Sequence, residues 1–408
     1  MLEVPSFMPW KQNSSQTERE KFIAAVRDRV ESFKALCQRF EISRKTGYKW
    51  LRRARQEGSK NLRDRQRGPG RRDPGGLRTK QEAIILKHKK KHPYWGSKKI
   101  FALLSWHLDE QEIPSRSTVH RVLARAGLVK GVKRRRYGPT LTVTDWSEAE
   151  ACNEVWGVDF KGWFKTGDRA KCYPLTVTDY YSRFIVCLDP LASESLDLVR
   201  KRFAKTFRKY GKPKAIRVDN GHPFGGGSVL GLTQLSVEWR LAGIDVQFMD
   251  PGKPYQNGRH ERMHLTYKQE LCQQPAPNLR SQRSRSLRWT KTFNYKRPHE
   301  ALKMRCPGEV YVKSPVSYVK PGKTFRYPGW EKRKVQHKGD IWWSNRRCFL
   351  SEAFRGYEVG LKPMGAGVYE VYLADILLGT LHDAAICEFR PTVEVRKSQL
   401  TSPKKVSP

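Results

Sequence analysis

Three short stretches decide the fold of the central part of the chain: VWGVDFKGWF at residues 155–164, IRVDNGHPF at 216–224 and PYQNGRHERMHLTYK at 254–268. The first two have strand composition, and the third has a turn followed by helical spacing. Each stretch carries one acidic residue that stands out. Asp159 interrupts an apolar strand, Asp219 ends a short strand, and Glu261 lies in the first turns of a helix. An ionised carboxylate inside an apolar strand is costly unless it is paired or binds a metal.

The segments around these stretches predict an α/β domain. After residue 164 the chain continues with KCYPLTVTDY and SRFIVCLDPL, which predict two more strands joined to the first in an antiparallel meander. An amphipathic helix at residues 195–210 follows, and then a short strand, a helix near 230–242, a strand near 246–249 and a helix from about 257. Three hairpin strands followed by alternating helix and strand is the order of a ribonuclease-H-like fold.

The three acids predict a metal site at the end of this sheet. Carboxylates from two strands and a helix are hard oxygen ligands of the kind that Mg²⁺ prefers. Two such ions favour phosphodiester cleavage. Each acid also has an ordinary explanation. Asp219 before Asn-Gly fits a turn, Glu261 fits the first turn of a helix, and Asp159 could pair with an arginine.

The charge of the chain indicates a polyanionic partner. The 408 residues carry 80 Lys and Arg against 40 Asp and Glu, a net charge of +40. Nucleic acid is the first candidate partner and an anionic membrane surface the second. A hydrophobic fraction of 38% excludes a fully disordered chain. The sequence shows neither an apolar run of membrane-spanning length nor a signal-peptide pattern, so we expect a cytoplasmic, nucleoid-associated protein without a membrane partner. The eight cysteines form no CxxC pair and are expected to be free thiols.

The first 140 residues hold a net charge of +22 and have mainly helical patterns. Residues 1–57 predict a helix-turn-helix domain, with Ser43 as the N-cap of its second helix. A basic linker at 58–76 separates it from a second helix-turn-helix domain at 77–140, where Ser115 caps the last helix. The residues predicted to face a DNA groove are Arg44, Lys45, Tyr48, Lys49 and Arg52 in the first domain, and Arg116, Ser117, His120 and Arg121 in the second. A small helical packing unit with a basic face is the alternative.

The third stretch also contains a competing motif. Residues 260–264 read His-Glu-Arg-Met-His, which satisfies the H-E-x-x-H pattern of zinc metallopeptidases. We disfavour this interpretation because no convincing third ligand follows and the match begins at a helix entry. His260 and His264 are expected to face DNA or to pack inside the domain.

Residues 313–408 predict a third module, a small β-barrel of about five short strands. Trp342, Trp343 and Arg346 are weak candidates for DNA contact, and ordinary barrel packing explains the tryptophans equally well. The predicted architecture is therefore multidomain: two all-α helix-turn-helix units, a central α/β core at residues 150–312 and this barrel.

The motifs together resemble the DDE-type transposases of the retroviral-integrase superfamily, and in particular the insertion-sequence family numbered 481. The stretches that carry the resemblance are VWGVDFKGWF, PLTVTDYYSRF, IRVDNGHPF, PYQNGRHERMHLTYK and FNYKRPHEAL. The resemblance implies that Asp159, Asp219 and Glu261 are the catalytic, metal-binding triad. It also implies that Lys268, seven residues after Glu261, is the family's basic position and contacts DNA. The segment GGGSVLGLTQ lengthens the second interval of the triad beyond the family's usual spacing.

The function expected from this resemblance is transposition. The chain would bind the inverted-repeat ends of an insertion sequence and catalyse Mg²⁺-dependent cleavage and strand transfer, with Mn²⁺ able to substitute. Double-stranded DNA, as element ends and as target, and other copies of the chain in a dimer or larger assembly are the expected partners. A catalytically silent DNA-binding regulator is the alternative, and a zinc metallopeptidase is a remote one.

Overall fold

The structure is a computed structural model that describes residues 15–58, 62, 64, 77–129, 149–226, 228–250, 257–383 and 387–392. The chain divides into two compact units, Met1–Arg78 and Thr79–Pro408. Most of the predicted basic linker at 58–76 lies outside the described residues, as does the end of the predicted second helix-turn-helix domain at 130–140.

Residues 15–58, the main described part of the first unit, form three helices. They are α1 (Ser15–Asp28), α2 (Phe33–Arg39) and α3 (Arg44–Glu57). Its core contains Phe22, Leu36 and Trp50, each almost fully buried. Ser43 caps α3 as predicted, since its hydroxyl accepts a hydrogen bond from the backbone N–H of Thr46 at 3.1 Å. The short segment between Arg39 and Arg44 therefore ends in a capped second helix, as the helix-turn-helix prediction requires.

A second helical module opens the second unit. It contains α4 (Leu77–Lys91), α5 (Ser97–Ser105) and α6 (Arg116–Arg125). Its core includes Ile85, Trp95, Ile100 and Val119. Ser115 caps α6 through the backbone N–H of Thr118, again as predicted.

A mixed six-stranded sheet forms the centre of the second unit. Its strands are β1 (Val155–Phe160), β2 (Phe164–Lys165), β3 (Lys171–Asp179), β4 (Ile185–Leu191), β5 (Ala215–Val218) and β6 (Asp245–Phe248). The order is β2-β3-β1-β5-β6, with β4 also paired to β3. Strand β3 pairs antiparallel with both β1 and β4. On the other side of β1, strand β5 pairs in parallel with β1 and with β6. This is the predicted meander followed by alternating helices and strands.

Helices cover the sheet and complete the core. They are α7 (Leu196–Tyr210), α8 (Gln234–Leu241), α9 (Gly258–Tyr267), α10 (Leu279–Tyr295) and α11 (Pro307–Val310), and a π-helical turn, Lys268–Cys272, follows α9. Phe203 of α7 and Trp239 of α8 pack in one cluster with Trp156 and Val158 of β1. Met263 and Tyr267 of α9 pack in another with Trp289 and Phe293 of α10. Strand β1, which carries Asp159, and helix α9, which carries Glu261, are therefore each anchored by a buried apolar cluster.

The C-terminal module is an open sheet rather than the predicted barrel. Its strands are β7 (Glu331–Lys334), β8 (Asp340–Trp343), β9 (Arg346–Phe349), β10 (Glu358–Gly365), β11 (Val368–Leu373), β12 (Ile376–Asp383) and β13 (Cys387–Pro391). The order β13-β12-β11-β10-β7 leaves β13 and β7 as edges, and β8 and β9 form a separate hairpin, so the described strands do not close. One face is instead covered by the central domain, since Val229, Leu232 and Val237 share its core.

Two details of this module correct the sequence predictions. Cys348 and Cys387 form a disulfide between β9 and β13, with Cα atoms 5.9 Å apart, so these two thiols are not free. The other six cysteines are free. Trp343 is buried against Tyr369 and is a packing residue, whereas Trp342 is half exposed and Arg346 is exposed. Among the described helices none is long and apolar enough to cross a membrane.

Candidate active site

The two predicted catalytic aspartates lie side by side at one end of the central sheet. Strand β1 pairs in parallel with β5 in the register Val155 to Ala215 and Gly157 to Arg217. Continuing this register by two residues places Asp159 opposite Asp219, at the distance of neighbouring strands, about 4.8 Å. A parallel pairing therefore brings together two acids that are 60 positions apart in the sequence.

The acidity of this pair is strongly perturbed. Burial, and to a lesser extent the nearby carboxylate of Asp219, raise the pKa of Asp159 to about 7. Partial burial also raises the pKa of Asp219, although its side chain reaches solvent at the strand end. Two carboxylates placed together without a neutralising cation disfavour ionisation of each other. Such an arrangement is typical of functional sites and fits a bound divalent cation.

Helix α9 begins directly over Asp159. The side-chain amide of Asn257, the residue before α9, donates a hydrogen bond to Asp159 Oδ2 at 3.1 Å. Nδ1 of His264, on the second turn of the helix, lies 3.8 Å from the same oxygen. The hydroxyl of Tyr180 in turn donates to Oδ1 of Asn257 at 3.2 Å. Gly157 makes room for that tyrosine, because a Cβ at residue 157 would lie 2.1 Å from its ring.

Glu261 lies on α9 between the two residues that contact Asp159. Asn257 is four residues before it and His264 three residues after it, so all three share one helix face. The Glu261 side chain is nevertheless exposed. Among the described residues, no group of three or more His, Cys, Asp or Glu side chains is close enough to hold a metal ion. The structure therefore brings Asp159 and Asp219 together and leaves the third predicted ligand outside the pair.

A buried hydrogen-bond network supports Asp159 from below. The hydroxyl of Thr176, its partner on β3, donates to the Asp159 backbone carbonyl at 2.8 Å. The same hydroxyl oxygen contacts Nε2 of His260 at 2.6 Å and Nε2 of His264 at 2.7 Å. Thr178 reaches Nδ1 of His260 at 2.9 Å. These contacts are all satisfied when both histidines are neutral with the proton on Nε2.

The histidines of the H-E-x-x-H motif are thus internal residues of the core. Burial lowers the pKa of His260 to about 3 and that of His264 to about 2, so both are neutral at physiological pH. They do not face DNA, which was one of the two roles expected for them. Both Nε2 atoms contact the Thr176 hydroxyl, and Glu261 is exposed. This arrangement disfavours the zinc-peptidase interpretation.

The predicted DNA-facing residues lie on exposed helix surfaces. In the first unit Arg44, Lys45, Tyr48, Lys49 and Arg52 are all exposed on α3, and Trp50 points into the core. The Tyr48 ring packs on Phe33 with centroids 4.4 Å apart. In the second helical module Arg116, Ser117, His120 and Arg121 are exposed on α6. Lys268 is exposed at the end of α9. These side chains are therefore accessible, and their contact with DNA stays a prediction.

Sequence reasoning missed Asn257, Thr176 and the role of His264. Asn257 lies in the quoted PYQNG segment, where the sequence predicts a turn but does not predict a hydrogen bond to Asp159. Thr176 carries none, because a threonine in a β-rich stretch is ordinary. His264 carried a misleading signal, since its spacing from His260 matches a metal motif. Only the register of β1 and β3 shows that Thr176 lies beneath Asp159.

Comparison with known proteins supports the same organisation. Two integrase core domain models match residues 149–254 and 242–307. A helix-turn-helix domain model matches residues 18–70, and a homeodomain-like model matches 46–123. An uncharacterized 31.7 kDa protein of insertion element IS407 from Burkholderia multivorans is 29% identical over 198 residues, which is 48% of this chain and 68% of that protein. These matches agree with helix-turn-helix domains followed by an integrase core domain in this chain.

Solved structures with some similarity are also integrases. The HTLV-2 integrase catalytic core domain in complex with magnesium, in its trimeric form, is 16% identical with a TM-score of 0.30 and covers 40% of this chain and 99% of that one. The simian T-cell lymphotropic virus intasome in complex with the PP2A regulatory subunit B56 gamma is 13% identical with a TM-score of 0.34, covering 74% of this chain and 95% of that one.

Proposed function

We propose that this chain is a DDE-type DNA transposase, of the kind found in the insertion-sequence family numbered 481, which binds the inverted-repeat ends of its element and catalyses their cleavage and strand transfer. The observation that carries the proposal is the pair of Asp159 and Asp219 on adjacent parallel strands of an integrase core, with the pKa of both carboxyls raised. A binding protein gains nothing from two acids placed together beside a phosphate-binding surface.

The proposed metal ligands are Asp159, Asp219 and Glu261, and the proposed metal is Mg²⁺ or Mn²⁺. The two aspartates fit this metal because they supply hard oxygen donors, and the charge of the nearby Lys161 does not offset the rise in the pKa of Asp159. Bound ions of this kind supply charge neutralisation at the scissile phosphate and lower the barrier for an attacking oxygen. In this proposal the exposed side chain of Glu261 changes its rotamer and joins the two aspartates as a metal ligand.

In this proposal, residues around the site position Asp159, and the basic helices bind DNA. Asn257 and Thr176 fix Asp159 through its side-chain oxygen and its backbone carbonyl. The neutral His264 limits water on the buried side of the carboxylate. Helices α3 and α6 bind the DNA ends, and Lys268 contacts DNA one to two turns beyond Glu261. Strand transfer exchanges one phosphodiester for another, so the reaction needs no nucleotide cofactor. Both ends must be held together, and the working form is a dimer or a larger assembly.

The test is a cleavage assay on DNA that carries the element ends, with Asp159→Asn compared with Asp197→Asn. Asp197 is an exposed acid on α7 and is 82% accessible. We expect Asp159→Asn to lose cleavage and strand transfer by a factor of at least about 1,000 while end binding survives, and the control to retain full activity. Normal transposition by Asp159→Asn would refute the catalytic assignment.

One observation favours the alternative of a silent DNA-binding regulator: Glu261 stays outside the aspartate pair in this structure. A nicking assay separates the two proposals. Mg²⁺-dependent nicking that is lost in Glu261→Gln supports the transposase. End binding without nicking at any Mg²⁺ or Mn²⁺ concentration supports the regulator.

A further inference from the structure

A cavity of about 610 Å³ opens beside α9, whose residues Arg259, Arg262 and Met263 belong to its lining. Five cationic side chains line it: Lys99, Arg183, Arg259, Arg262 and Arg297. Lys99 comes from α5 of the second helical module and the others come from the central domain. Asp159, Asp219 and Glu261 do not line this cavity, which we call the cationic pocket. It is a separate feature from the predicted catalytic site.

The carboxylates near the cationic pocket are already engaged. Asp179 is buried and accepts hydrogen bonds from the backbone N–H groups of Asn153 and Ser182, at 2.7 and 2.9 Å. Glu300 pairs with Lys98 at 2.6 Å, outside the pocket lining. Among the described residues, neither of these carboxylates lies at ion-pair distance from Lys99 or Arg262.

Two of the pocket cations have no acidic partner. Arg297 pairs with Glu270 at 2.6 Å. In contrast, neither Lys99 nor Arg262 has a carboxylate within ion-pairing distance in the described part of the chain. Burial, and to a lesser extent the nearby Arg297, lower the pKa of Lys99 to about 8, although Glu270 and Glu300 oppose this shift. Because burial and a neighbouring arginine disfavour the charged form of a lysine, an anion that binds beside it stabilises that form.

The fixed surroundings of the pocket also suit an anion. Nε2 of His299 is buried at its base and finds no hydrogen-bond partner among the described residues. A buried polar atom without a partner costs about 1–3 kcal/mol. The N-terminus of α9 opens into the same space at Gly258, where an added Cβ would meet nothing within 4 Å. Helix N-termini favour negative charge.

We propose that the cationic pocket binds a backbone phosphate of DNA and so fastens one duplex jointly to the second helical module and to the catalytic domain. Arginine recognises phosphate through two parallel hydrogen bonds, and Arg262 is exposed at the pocket with no partner to displace. DNA is favoured over a free anion because Lys99 belongs to the same helical module as α6, whose exposed face is predicted to bind DNA. The proposal deepens the proposed function and rests on its DNA-binding part.

The experiment measures how DNA affinity depends on salt for the full-length chain, with a random-sequence duplex and a chelator present to prevent cleavage. Each phosphate contact adds about one to the slope of log K against log salt. We expect Arg262→Ala and Lys99→Ala each to weaken binding roughly tenfold and to reduce the slope by up to about one. The control is Arg208→Ala, an exposed arginine of α7 outside the pocket, which should change neither quantity appreciably.

The outcomes separate this inference from the proposed function. An unchanged slope in both pocket variants, with wild-type binding intact, overturns the inference alone. If inorganic phosphate raises the thermal midpoint of the wild type but not of Arg262→Ala, and the DNA slope is unchanged, the pocket binds a small free anion and the proposal is wrong about DNA. A reduced slope together with full cleavage by Asp159→Asn supports the pocket and refutes the catalytic assignment. Absence of any DNA binding by the wild type overturns both.

Discussion

Removing the charge of Asp159 should stabilise the metal-free protein. In the folded chain the pKa of Asp159 rises from its ordinary value of 3.8 to about 7, because the carboxyl is buried and faces Asp219. The folded state therefore binds a proton more tightly than the unfolded state does. Stability is highest below about pH 4 and falls as the pH rises towards about 7. Asparagine does not titrate, so the Asp159→Asn variant escapes this loss.

The size of the effect follows from the pKa. A tenfold difference in acid strength corresponds to about 1.4 kcal/mol, so the ionised Asp159 lowers the free energy of unfolding by at most about 4 kcal/mol near neutral pH. The side chain is only 21% exposed, so solvent screens little of this cost. Asparagine has the same shape as aspartate, and the oxygen of its amide can accept the hydrogen bond that Asn257 donates.

Urea unfolding in the presence of a chelator measures this difference. We expect Asp159→Asn to exceed the wild type by about 2–4 kcal/mol near pH 7.5 and to match it near pH 4. Asp197→Asn serves as the control and should show no such dependence on pH. Adding Mg²⁺ should narrow the gap by stabilising the wild type alone. A variant that is less stable than the wild type at both pH values would show that Asp159 is not held in an unfavourable charged state.

Three further predictions concern the structure around the site. Thr176→Val removes the hydroxyl that contacts the Asp159 carbonyl and both histidines, and should lower the free energy of unfolding by about 3 kcal/mol. Thr178→Val removes one contact to His260 and should lower it by about 1 kcal/mol. Chemical denaturation of the two variants measures both values. Gly157→Ala forces the Tyr180 ring to move and should cost about 1–3 kcal/mol, with cleavage slowed as well; equal thermal midpoints would contradict the packing described. Cys387→Ser removes a crosslink between residues 39 positions apart and should cost up to about 4 kcal/mol, a difference that a reducing agent should abolish.

Local sequence patterns predicted the elements of this protein well. Strand alternation and helical spacing placed the three antiparallel strands, the parallel pair and the helices of the central domain, because burial of one face imposes a fixed period on the chain. Ser43 and Ser115 were identified as helix caps for a local reason too, since each hydroxyl bonds a backbone N–H three residues on. The matches to integrase core and helix-turn-helix models agree with this organisation.

The sequence predicted less where the contact joins distant segments. The barrel was inferred from a count of short strands, but a count does not say whether the first and last strands pair, and here an apolar surface of the central domain covers the sheet instead. The disulfide was missed because Cys348 and Cys387 have no diagnostic spacing. His260 and His264 have a metal-binding spacing, yet the neighbouring strand supplies the hydroxyl that both contact.

The sequence by itself determined the chemically distinctive features: a chain of net charge +40, three acids at predicted strand and helix ends, and basic faces on two predicted helices with serine caps. The tertiary structure decided how those residues meet. The parallel register of β1 and β5 sets Asp159 beside Asp219, and the start of α9 covers that pair with Asn257 and His264. It also gathers Lys99 and Arg262, 163 positions apart, around one cavity. Periodicity records which face of an element is buried, whereas only packing determines which distant element it is buried against.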